Sequence, residues 1–198
     1  MGPLLLTAPA NAQFIGINAD YAIAYSAAPG SVTGGSVGIS HPAPFFPNIG
    51  YSTVSFNDKE DITSSDSLSS VSLTTKTTIK TINLFYNVPF PVVSIAVGFG
   101  FGSDNLYTGV ETETTIVETY IGAKRTEEIS EFKTDVTEAF MRIGLPFWST
   151  IEFHLGYHAM SFTSIDITKS ATLLGKNYSI DKKSYSGGMT TIGVQVAF

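Results

Sequence analysis

The sequence predicts an all-β chain, an antiparallel up-and-down transmembrane β-barrel of about eight strands. Three observations predict it. Short segments alternate large apolar residues with small or polar ones, the period of two that marks a strand with unlike faces. Connections alternate between short turns rich in Pro and Phe and long polar stretches. No apolar run approaches the ~20 residues of a membrane helix, so the chain is soluble or crosses a membrane as strands of a closed barrel.

Composition narrows the classes. With 198 residues a single domain is expected. Hydrophobic residues make up 43% and charged residues 14%, against about 25% charged in an average soluble domain. There is no Cys, which excludes disulfides and thiolate metal sites. The net charge of −6 opposes binding to nucleic acid. Pro3-Leu4-Leu5-Leu6 followed by Ala10-Asn11-Ala12 reads as a signal-peptide remnant or a disordered arm over residues 1–12, with the barrel domain over 13–198.

The first strand has Ile15, Ile17, Ala19, Tyr21, Ile23 and Tyr25 on one face, with Asn18 and Asp20 on the other. Pro29-Gly30 and Gly34-Gly35 are expected to bound a loop, and a second strand to run from Ser36 to about His41. Pro42, Pro44 and Pro47 cannot donate ladder bonds and mark a turn. A third strand covers about Ile49 to Phe56, and the polar residues Asn57 to Ser72 read as a loop. A fourth strand follows to Val88, and Pro89-Phe90-Pro91 turns the chain. In the fifth, Val93, Ile95, Val97, Phe99 and Phe101 alternate with Ser94, Ala96, Gly98, Gly100 and Gly102. A nearly side-chain-free face suits a narrow lumen.

Residues 103–135 form a long polar excursion whose Thr114–Ile121 and Glu127–Asp135 segments look extended, with a turn at residues 122–125. The sixth strand descends to Leu145 with Glu138, Phe140 and Arg142 on one face. Pro146-Phe147-Trp148-Ser149 is a second tight turn. The seventh strand sets Glu152, His154 and His158 opposite Ile151, Phe153, Leu155 and Tyr157. After a polar loop, the last strand places Ile192, Val194, Val196 and Phe198 on one face and ends on the aromatic.

Short turns on one rim and long loops on the other are the rhythm of outer-membrane barrels. On the closing strand, the turn-flanked strand pairs and this rhythm, residues 13–198 resemble the OmpA/OmpX-like (opacity-type) superfamily of eight-stranded outer-membrane barrels. The resemblance implies location in a bacterial outer membrane. It implies outer-membrane lipid, including lipopolysaccharide, as surroundings, and a barrel assembly machinery that reads Ile192, Val194, Val196 and Phe198. The chain ends with the barrel, so no peptidoglycan-binding domain is expected.

Few constellations carry chemistry. Pairing across the 146–149 turn sets Arg142 opposite Glu152 or His154, with Glu138 near His158 and Asp20 approaching across the lumen. Buried charges must be paired, so these six residues read as an ion-pair plug. The alternative is a small channel gated by the same residues. A lipid-modifying enzyme is a second alternative: His158, Ser161 and Glu152 supply hydrolase residue types, but a spacing of three puts His158 and Ser161 on opposite faces of a strand. No catalytic residue, cofactor or metal is expected, and His41, His154 and His158 read as rim or lumen histidines. Phe90, Phe147, Trp148 and Phe198, with Phe45 and Phe46, read as a periplasmic aromatic girdle, and Tyr25 and Tyr107 as facing the other rim. Cations near the long loops, among them Lys76, Lys80, Lys124 and Arg125, suit lipopolysaccharide phosphates. The 103–135 excursion is the candidate for a surface partner, because a projecting sheet edge can add a strand. The expected role is structural or surface-interacting.

Overall fold

The computed structural model describes residues 15–28, 30–41, 45–63, 69–90, 92–120, 123–147, 150–162, 171–173, 176–178 and 186–198. The reading of residues 1–12 as a leader remnant lies outside them, as does Trp148. The strands are β1 (Gly16–Tyr25), β2 (Val32–Ser40), β3 (Asn48–Thr63), β4 (Ser69–Pro89), β5 (Ser94–Gly102), β6 (Gly109–Tyr120), β7 (Ala123–Thr134), β8 (Val136–Pro146), β9 (Ile151–Phe162), the short pair β10 (Ala171–Leu173) and β11 (Lys176–Tyr178), and β12 (Gly187–Ala197). Among the described residues no helix is long and apolar enough to cross a membrane.

Eight strands close into a ring in the order β3-β2-β1-β12-β9-β8-β5-β4, sealed by the β3–β4 pairing, and every adjacent pair is antiparallel. Closure leaves the ring without an edge. Turns at one rim are short: the Phe90 N–H donates to the Val93 carbonyl (2.9 Å) and Phe147 to Ile151 (2.9 Å). At the same rim the Phe198 N–H donates to the Ile15 carbonyl at 2.9 Å. The chain therefore begins and ends its barrel side by side.

The long strands depart from expectation. Residues 57–63 and 69–72, expected in a loop, are strand. β3 continues to Thr63 and β4 begins at Ser69, and the two stay paired from Asn48↔Phe85 to Thr63↔Ser70. The lower half of β4 pairs with β5, from Ile82↔Phe101 downward, and its upper half with β6, from Lys80↔Gly109 upward. β6 and β7 form a hairpin, so β3, β4, β6 and β7 make a four-stranded sheet rising past the ring. Residues 123–125, expected in a turn, are strand. Gly34 and Gly35 also lie inside a strand. Gly34 has φ +123°, a conformation that costs glycine little, and a Cβ there would stand 2.9 Å from the Val54 Cα. β2 thus bends close over β3 instead of ending.

The wall changes polarity partway up. In its lower part large apolar side chains face outward, such as Ile17, Ile143 and Leu155 at 50%, 45% and 56% exposure, while Asn18, Asp20, Asn83, Arg142 and His154 are buried inside. That is a soluble protein turned inside out, and water-facing surfaces do not carry an apolar belt of this extent. In the upper part the buried cluster is apolar: Tyr25, Val54, Phe56, Ile79, Val110, Val136, Met160, Phe162 and Met189. The same strands serve both zones by switching which parity is apolar. β9 has Ile151, Phe153, Leu155 and Tyr157 outside, then Met160 and Phe162 inside. β4 has Ile79 inside, then Tyr86 and Val88 exposed outside.

Tyr25 is a correction on this point. Expected on the outward face, it is 5% exposed and packs on Phe56 with ring centroids 5.3 Å apart. A register shift between Ala22 and Ala24 adds one residue to β1, and an added residue turns all that follow to the other face. The tyrosines that lie at the top of the apolar belt are Tyr21, Tyr51 and Tyr157, exposed by 54%, 40% and 56%.

Candidate functional site

Two polar clusters fill the lower lumen. In the first, Asp20 of β1 accepts three bonds: from Ser36 Oγ (2.6 Å), from Arg142 Nη1 (3.2 Å) and from His154 Nε2 (2.5 Å). Arg142 and Asp20 side chains are 5% and 0% exposed. The guanidinium carbon lies 4.5 Å from the Phe85 ring centroid and 5.4 Å from that of Phe140, so stacking supports the charge on its flat faces. The geometry depends on Gly193. Asp20 pairs with Gly193 and Gly193 with His154, so the two bonded side chains meet over a residue with none. A Cβ on Gly193 would lie 2.6 Å from Asp20 Oδ1.

In the second cluster, higher in the lumen, Glu138 is bonded to His158 Nδ1 and accepts from Thr81 Oγ1 at 2.6 Å. His158 Nε2 is bonded to Thr191 Oγ1 at 3.1 Å, and its ring stacks on Phe140 at 5.0 Å between centroids. Asn83 Nδ2 donates to Ser52 Oγ at 2.5 Å. Thr81 Oγ1 also lies 3.0 Å from Asn83 Oδ1, and the cluster links β3, β4, β8, β9 and β12. Above lies the apolar cluster. Polar below and apolar above, the lumen is occupied by side chains in both zones.

The six lumen residues expected from sequence divide as follows. Asp20, Arg142 and His154 meet, and Glu138 and His158 meet. Glu152 makes no bond of this network; it pairs in register with Pro146 and Gln195. The register corrects the expected pairing. Arg142 stands opposite Gly156, not Glu152 or His154, because the ladder pairs Pro146 with Glu152. Arg142 instead reaches across the lumen to β1. Ser161 is exposed on the outer face while His158 is 1% exposed inside, so the hydrolase residue types are not assembled. His41 is bonded to the Pro47 carbonyl (3.2 Å) at the short-turn rim, away from the lumen histidines. Among the described residues no group of three His, Cys, Asp or Glu is placed to hold a metal ion.

Phe45, Phe46, Phe90, Phe147 and Phe198 lie exposed at the short-turn rim, with Phe147 edge-on to Phe153 at 5.9 Å. On the closing strand Ile192 is exposed, Val194 and Val196 half-buried. At the opposite rim a 3-10 turn over Asp104–Leu106 leaves Tyr107 90% exposed with φ 54°. There Lys80 Nζ donates to Glu111 Oε2 at 2.6 Å, and Lys133 lies 3.7 Å from Asp104. The Lys80 bond holds the Glu111 carboxyl below the ordinary glutamate value. In the projecting sheet β7 pairs, among the described strands, only with β6. Sequence reasoning missed Ser36, Thr81, Thr191 and Gly193. Each faces the small-residue side of its strand, a signal available from parity alone.

A closed ring of eight antiparallel strands with an apolar belt outside, polar residues inside, short turns at one rim and long strands beyond the other defines a transmembrane β-barrel of the outer-membrane type. Several solved structures are similar to this chain. One is the N-terminal β-barrel domain of Pseudomonas aeruginosa OprF, with TM-score 0.42, 13% identity and coverage of 93% of this chain and 96% of that one. Another is Ail, the attachment invasion locus protein of Yersinia pestis, with TM-score 0.38, 9% identity, and 93% and 95% coverage. A third is the outer membrane protease OmpT from Escherichia coli, with TM-score 0.46, 11% identity, 84% of this chain and 64% of that one. No protein-family model matches the sequence, and no curated protein does.

Proposed function

We propose that the chain is a bacterial outer-membrane protein with a closed lumen whose work is done by the projecting sheet, as a surface-interaction, adhesion-like module. The observation that carries this reading is the β3-β4-β6-β7 sheet. Its strands β3 and β4 run on unbroken from the barrel wall, and it ends in the edge strand β7. Such an edge presents backbone donors and acceptors that a partner strand can pair with at little ordering cost. The lumen clusters are read as a plug that stabilises the ring. Exposed cations near the projecting sheet, such as Lys76 and Lys124, suit lipopolysaccharide phosphates, and the closing strand with Phe198 suits recognition by a barrel assembly machinery. Deleting residues 106–130 tests the reading. The shortened barrel should still migrate as a heat-modifiable band, and cells carrying it should lose attachment to host or neighbouring surfaces. Undiminished attachment would refute it.

A further inference from the structure

The charges along the edge strand are self-complementary. β7 reads Ala123-Lys124-Arg125-Thr126-Glu127-Glu128-Ile129 over its distal half, with positions 123 to 126 exposed. In an antiparallel pair of identical strands the two-fold axis passes through one residue, which faces itself. With the axis at Thr126, Lys124 stands opposite Glu128 of the second copy and Arg125 opposite its Glu127, and the axis repeats both pairs. No like charges then face one another. An axis at Lys124, Arg125, Glu127 or Glu128 sets a charge against itself, and an axis at Ile129 falls on the bulge that β7 carries between Glu128 and Ser130, where the ladder is interrupted. An axis at Ser130 or beyond drives the tip of one hairpin past Thr134 into the barrel wall of the other, since β8 begins at Val136.

We propose that this protein binds a second copy of itself, edge to edge through β7, between two facing membranes. The proposal rests on the surface-interaction reading and names its partner. The direction follows from symmetry. The axis of an antiparallel edge pair is perpendicular to the sheet, and the sheet continues the barrel wall, so the axis lies in the membrane plane and inverts the second barrel. Copies side by side in one membrane would instead run β7 parallel, with Lys124 beside Lys124 and Glu127 beside Glu127. Room exists for the facing arrangement: eight residues separate Thr126 from Thr134, about 26 Å of strand on each side of the axis. Arg125 has contacts within its own chain, and a guanidinium with five donors can serve a second carboxylate as well.

The test uses the full-length protein in phosphatidylcholine–phosphatidylglycerol vesicles, inserted with the long-loop rim outward, and reads vesicle clustering by light scattering. Wild-type vesicles should cluster, less so as salt rises. Lys124→Glu/Arg125→Glu vesicles should not cluster, nor should Glu127→Lys/Glu128→Lys vesicles, because each strand then meets only like charge. A mixture of the two variants should cluster, because all four facing positions become complementary again. Heat-modifiable migration checks that each variant is folded, and the mixture checks it independently. Wild-type vesicles that stay dispersed, variants that each cluster like wild type, or a mixture that fails to cluster would overturn the proposal. Hairpin-dependent attachment to surfaces lacking the protein, without clustering among the vesicles themselves, overturns self-pairing and leaves the surface-interaction reading standing.

Discussion

Asp20→Ala should be among the most damaging single changes in the barrel. The Asp20 side chain is 0% exposed and is the only anion bonded to the Arg142 guanidinium among the described contacts. Removing it leaves a cation, 5% exposed, with the faces of Phe85 and Phe140 but no counter-charge in contact, and the Arg142 Nε already lacks a partner. Stranding one member of a buried ion pair costs about 3–5 kcal/mol. Arg142→Met should cost less, about 2 kcal/mol, because Asp20 keeps its bonds from His154 and Ser36. The double variant strands neither charge, so its loss should be well short of the sum of the singles, with a coupling energy of about 2–3 kcal/mol. Urea unfolding in lipid vesicles measures all four proteins, followed by the folded and unfolded gel bands and by the fluorescence of the single Trp. A coupling below about 0.5 kcal/mol, or an Asp20→Ala protein as stable as wild type, would refute the claim that this pair carries the lower lumen.

Other outcomes follow from the same contacts. Gly193→Ala should cost about 1–3 kcal/mol by overpacking, because the new Cβ would stand 2.6 Å from Asp20 Oδ1; the same unfolding experiment reads it. Glu111→Gln should loosen the base of the β6–β7 hairpin by no more than about 1 kcal/mol, as for any part-exposed ion pair, read as faster amide exchange in the hairpin. The Glu111 carboxyl is held below its ordinary value of 4.5 by the bond from Lys80. The wild-type advantage is therefore complete above the ordinary glutamate range and disappears as pH falls through the lowered value. Wild-type protein in planar bilayers should show no steady conductance, because polar clusters and an apolar layer occupy the lumen in succession; a persistent open current would contradict a plug.

How much of this was legible in the sequence depends on what the lipid dictates. A strand between hydrocarbon and a narrow lumen must be apolar at every second position, so Ile151 to Tyr157 and Ile192 to Phe198 could be read directly. Above the belt the requirement reverses, and that reversal was the missed signal. Residues such as Asn57, Lys59 and Ser72 look like loop because water now lies outside, yet Val71, Leu73 and Ile79 share one parity, the opposite of the lipid-facing one. The lumen clusters were legible as a set of residues because charges on the small-residue face have nowhere else to go. Their partners were not, because the ladder pairs Pro146 with Glu152 and so sets Arg142 opposite Gly156, and because contacts across a lumen depend on barrel closure and not on hairpin register.

The parity switch also explains why the projecting sheet can be a working surface and not an ornament of the rim. At Tyr51, Ile82 and Tyr157 the strands still face lipid; three residues on, at Val54, Ile79 and Met160, the same backbone buries its apolar residues inside. β3 and β4 cross this boundary unbroken and remain paired to Thr63 and Ser70. The sheet is thus clamped at its base by a core of its own, Phe56, Ile79, Val110 and Val136 among it, and its orientation is fixed by the ring below. β7 is already paired with β6 along its length, so a strand that binds its other edge would meet a preformed ladder and lose less freedom than one that must organise a loop. A weak set of edge bonds and ion pairs can then suffice when many copies face each other across a gap, because each contact raises the effective concentration of the next.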